Sequence, residues 1–101
     1  MSKENTVYIS RDFEMMMISA LRYAIGRQTY MPGVAIDYIR MLIPKLSTGT
    51  LYIIERDIRE EVERYERMGW ELYMKREWLE LMNEANEAYK FKKAVEDELQ
   101  H

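Results

Sequence analysis

From Leu51 to Tyr65, apolar side chains return every three or four residues, and no other feature of the chain constrains its fold so tightly. Leu51, Ile54, Ile58, Val62 and Tyr65 keep that spacing for about four turns, so they share one stripe of an α-helix. A strand would need alternation by two. The opposite side of the same stretch is charged, with Glu55 and Arg59, Glu60 and Arg64, and Glu63 and Arg67 standing four residues apart. Opposite charges at that spacing meet on a helix surface and add roughly 0.2–0.5 kcal/mol per pair. They mark a solvated face.

The rest of the chain follows the same logic. Ser10 is a good N-cap for a first helix, and Asp12 and Glu14 suit its positive end. Phe13, Met17, Leu21 and Ala24 form its expected core stripe, widened by Met16, Ala20 and Ile25. Gly26 is the natural stop, and the chain must then turn through Arg27 to Met31 ahead of Pro32 and Gly33. A shorter helix is expected from Val34 to about Ile43, with Ala35, Tyr38, Ile39 and Leu42 inward, limited by Pro44. Ser47-Thr48-Gly49-Thr50 reads as a connector ending in a cap. Gly69 interrupts the charged helix, and Trp70, Leu72 and Tyr73 bridge to a last helix from about Lys75 through the nineties. Its apolar positions are Trp78, Leu81, Met82, Ala85, Ala88, Phe91, Val95 and Leu99. Either it folds back along the others, or its end beyond Tyr89 projects toward a second copy or another partner.

The fold class that results is all-α: a compact bundle of four to five helices, with Val7-Tyr8-Ile9 as a short extended segment in front of it. At 101 residues one domain is expected, its core over about 8–82 and a charged helical extension over about 83–101. No apolar run approaches the roughly 20 residues that cross a bilayer, and Met1 to Val7 does not read as a secretory signal, which implies a cytoplasmic protein.

The residue inventory argues against chemistry. There is no cysteine, and the one histidine is His101, the last residue. Thiolate nucleophiles, thiolate zinc sites and histidine-based triads are therefore excluded. The glycines stand singly at 26, 33, 49 and 69, which is not a phosphate loop. Glu60, Glu61, Glu63 and Glu66 are interleaved with arginines rather than gathered into a site. No catalytic residue, metal or cofactor is expected. The expectation is a protein that is not an enzyme and works by binding.

Charge is unevenly divided: residues 1–50 carry six basic and four acidic side chains, residues 51–101 nine basic and fourteen acidic. Solvated, salt-bridged later helices explain most of that. Nucleic acid is a disfavoured partner, because no basic stripe is gathered, although Arg22, Arg27, Arg40 and Lys45 would be the phosphate contacts if one were bound. Nine methionines and eight tyrosines suit an adaptable surface. Met15, Met16 and Met17 cannot all face the core, and a Met and Tyr patch around Met15, Tyr30 and Met31 is the candidate. Arg27 or Arg22 paired to Asp57 or Asp37 would instead lock the fold.

The run ALRYAIGRQTYMP, from Ala20 to Pro32, with IPKLSTGTLYIIERDI and MKREWLELM further on, resembles small uncharacterised proteins of phages and prophages of Gram-positive bacteria. The resemblance spans about residues 12–82 and brings no known active site. It implies an accessory factor that binds a host protein, an inhibitor of an antiviral nuclease such as a CRISPR effector being one such role. The expected contacts are Arg27, Tyr30 and Met31 in the turn, with Glu61 and Glu66. A homodimer through the last helix is a further expectation.

Overall fold

The computed structural model describes residues 10–27 and 32–100, the side chains at 27 and 32 excepted. Four helices account for most of them: α1 (Arg11–Arg27), α2 (Pro32–Leu42), α3 (Thr48–Arg67) and α4 (Lys75–Leu99), with a 3-10 turn at Ile43–Lys45. No strand occurs among the described residues, so the chain is an all-α bundle of four helices. The extended segment expected at Val7-Tyr8-Ile9 lies outside them, as does most of the turn from Arg27 to Met31.

Three of the helices start for a local reason. The Ser10 hydroxyl accepts the Phe13 amide at 3.1 Å, as a cap should. The cap of α3 is Ser47 rather than Thr50: its hydroxyl accepts the Thr50 amide at 3.3 Å, so Thr48 and Gly49 are already helical. Proline stands first in α2, where its missing amide has no helical partner to lose. Pro44 falls inside the tighter 3-10 turn. Gly69 takes φ +75°, the left-handed geometry that ends α3 and that only glycine adopts freely.

Around the bundle the helices neighbour one another in the order α1, α2, α4, α3. Side-chain bonds fix their directions. Arg40 on α2 meets Glu84 on α4 and Lys92 reaches Pro44 and Leu46, so α2 and α4 run parallel. Lys75 meets Glu66 and the Tyr52 ring meets Tyr89, so α3 and α4 run antiparallel. The start of α1, the end of α2, the start of α3 and the end of α4 therefore gather at one end. There the 3-10 turn crosses between the diagonal helices α2 and α3, with Leu46 fully buried beneath it.

The core holds Met17, Leu21 and Ile25 of α1, Ile36, Ile39 and Ile43, the whole α3 stripe from Leu51 to Tyr65, and Trp78, Leu81 and Ala85 of α4. Burying a side chain of this size stabilises by about 1.5–3 kcal/mol. Packing of α4 continues through Ala88 and Tyr89. Lys92 closes it, donating to the carbonyls of Pro44 at 2.8 Å and Leu46 at 2.7 Å. Beyond that point α4 projects, and the molecule measures 51 × 27 × 19 Å. Of the apolar bridge, only Leu72 is buried, while Trp70 and Tyr73 face solvent.

Candidate functional site: an apolar groove between α1 and α2

Three of the expected core assignments are corrected by the packing. Met16 and Ala20 on α1, and Tyr38 on α2, face outward rather than into the bundle. On a helix each residue turns by about 100°, so Met16, Ala20 and Tyr23 form a second stripe, displaced from the core stripe of Met17, Leu21 and Ile25. Val34, Tyr38 and Met41 do the same on α2, opposite Ile36, Ile39 and Ile43. Both helices are thus apolar on two faces. One face is spent on the core.

Between the second faces runs a groove of about 360 Å³. Phe13, Met16 and Ala20 form one wall, Val34 and Tyr38 the other, with Met17, Leu21, Ala35 and Ile39 lying between. None of these side chains is charged. Met16 remains 67% exposed, Val34 58% and Tyr38 46%, so the walls are open to solvent although chemically they belong inside. Contiguous apolar surface of this kind is costly to leave wet.

A second, polar cleft of about 370 Å³ lies where α1 and α3 begin, beside Arg11, Glu14, Met15, Ser47 and Thr50. Glu14 is buried here, at 9% exposure, although the sequence places it merely as an acidic residue at the start of α1. Its carboxylate accepts the Ser47 hydroxyl at 3.0 Å and the Thr50 hydroxyl, and it stands at the positive end of α3. That arrangement ties the start of α1 to the start of α3. Both hydroxyls go to the same oxygen, Oε1, and no group of histidine, cysteine and acid side chains able to hold a metal occurs among the described residues.

The expected contact residues fall elsewhere. Tyr30 and Met31, and the Arg27 side chain, lie outside the described residues. Glu61 and Glu66 sit on α3, away from the groove, and both are engaged: Glu61 accepts from Arg64, and Glu66 from Lys75 at 2.8 Å. Arg64 thus chooses Glu61, three residues before it, over the expected Glu60. The hydrogen bond to Glu61 raises the Arg64 guanidinium above its ordinary value. Glu55 raises Arg59 in the same way, in the pairing the sequence predicts. Met15 is exposed but lines the Glu14 cleft, so it does not join Met16 in the groove. The lock expected of Arg22 is present, its Nε donating to Asp57 at 2.7 Å.

The signal for the groove was in the sequence. Met16, Ala20 and Tyr23, and again Val34, Tyr38 and Met41, repeat at intervals of four and three residues. Reading each helix as having a single wide apolar face absorbs them into the core.

The described residues thus form a four-helix bundle with a solvent-open apolar groove. The chain matches no family model, no curated protein and no solved structure.

Proposed function

We propose that this protein is a non-catalytic binding factor and that an amphipathic helix of a partner protein lies in the α1–α2 groove. The observation that carries this reading is the pair of uncharged stripes facing each other across the groove, because a helix laid there would bury both at once. Helix-in-groove recognition uses anchors at three- and four-residue spacing, which is the spacing of the walls. Methionine and tyrosine suit such a surface, since the thioether adapts its shape and the phenol offers a rigid ring with a polar edge.

The resemblance to small phage and prophage proteins directs the choice of partner toward a host protein, an antiviral nuclease such as a CRISPR effector foremost. In that setting the protein inhibits by occupying a surface, in the host cytoplasm, without turning anything over. A nucleic-acid partner is the weaker reading: Arg22 and Arg40, two of the cations it would use, are already bonded to Asp57 and Glu84. Calorimetric titration against purified host defence nucleases tests the proposal. Binding that falls at least tenfold, about 1.4 kcal/mol, on Tyr38→Glu and is unchanged by Arg67→Glu is the expected result. Binding indifferent to Tyr38→Glu would remove the groove from the account.

A further inference from the structure

The projecting end of α4 is a second unpartnered surface, remote in sequence from the groove. Phe91, Val95 and Leu99 recur every four residues and form one stripe, with exposures of 72%, 40% and 80%. They have no core to enter, since Lys92 has already closed the bundle against Pro44 and Leu46. The charges along this end are sorted by sign. Lys90, Lys92 and Lys93 come first, and Glu96, Asp97 and Glu98 follow.

From this arrangement we infer that a second copy of this chain pairs with the end of α4 and that the two helices run antiparallel. A parallel pair would set lysines against lysines and carboxylates against carboxylates. An antiparallel pair crossing near Ala94 sets each basic turn beside the other copy's acidic turn, with Lys92, on one flank of the stripe, level with the second copy's Glu96 on the same flank. At the same crossing Phe91 falls between Val95 and Leu99 of the second copy, as a knob enters a hole. Lys93 and Asp97 pair within one chain at 3.5 Å, on the face turned away from the stripe. The overlap covers little more than two turns per copy, well short of the roughly 800 Å² per partner of a standard interface. The dimer is therefore weak and appears only as concentration rises.

The absence of native cysteine makes the geometry directly testable. A disulfide needs Cα atoms within about 7 Å. In the antiparallel pair the two copies of residue 95 are offset by about 3 Å along the axis, and those of residue 99 by about 15 Å. Under mild oxidation Val95→Cys should cross-link and Leu99→Cys should not. Sedimentation over a concentration series should show a dimer that Phe91→Glu weakens at least tenfold. Glu96→Lys, which sets a lysine against the second copy's Lys92, should weaken it as well. Tyr38→Glu should leave it unchanged, which separates this pairing from the groove. Equal cross-linking at 95 and 99 would overturn the antiparallel arrangement. A chain monomeric up to about 1 mM, an affinity of about 4 kcal/mol, or a dimer indifferent to Phe91→Glu, would overturn the pairing altogether.

Discussion

Replacing Glu14 by alanine tests how the two ends of the chain's first half are joined. Its carboxylate accepts two hydroxyls, from Ser47 at 3.0 Å and from Thr50, in a setting only 9% exposed. Hydrogen bonds to a charged group contribute about 1.5–3 kcal/mol when measured by removing a partner. The two here share one acceptor and do not add fully, and after the change the Ser47 proton turns to the Thr50 hydroxyl 3.1 Å away. A loss of about 2–3 kcal/mol is therefore expected. For a domain of this length each kcal/mol moves the melting midpoint by about 4–8 °C, which puts the fall at roughly 8–24 °C. Glu14→Gln keeps an oxygen acceptor at the same place and should lose about half as much. Thermal unfolding followed by circular dichroism reads both. A change under about 0.5 kcal/mol for the alanine variant, the range of ordinary surface substitutions, would show that the carboxylate does not tie α1 to α3.

Two glycines should respond with opposite signs. Gly69→Ala forces a side chain into φ +75° and should cost about 1 kcal/mol in urea unfolding, whereas Gly49→Ala, in the first turn of α3 with nothing within 4 Å of the added carbon, should gain about 0.5–1 kcal/mol. Asp57 is 9% exposed at its side chain and holds both Arg22 at 2.7 Å and Arg56 at 3.2 Å, so Asp57→Asn should destabilise by about 1 kcal/mol, the exposure of Arg22 keeping the loss small. The same denaturant titration reads it, and an unchanged midpoint would refute the lock.

Much of the architecture was legible because it depends on local rules. The α3 stripe from Leu51 to Tyr65, the Ser10 cap and the start of α4 at Lys75 each follow from spacing or capping chemistry within a few residues. What was not legible depends on how the helices meet. Glu14 is a solvated acid until α3 begins beside it. Tyr38 fits a single wide apolar face of α2 as well as Ile36 does, and only the positions of α1 and α4 decide which of them is inside. Trp70 looks like core by composition, yet it stays exposed, resting its ring edge-on to Tyr65 with centroids 6.2 Å apart. The groove was hidden for the same reason: an apolar residue announces that it wants cover, and the sequence alone does not say whether its own chain provides it.

Methyl resonances of the methionines offer the most direct view of the groove, since Met16 and Met17 line it while Met68 and Met82 lie elsewhere. With methyl-labelled methionine and a bound host defence nuclease, the signals of Met16 and Met17 should shift and broaden while those of Met68 and Met82 hold their positions. Binding that leaves Met16 and Met17 unmoved would contradict the account.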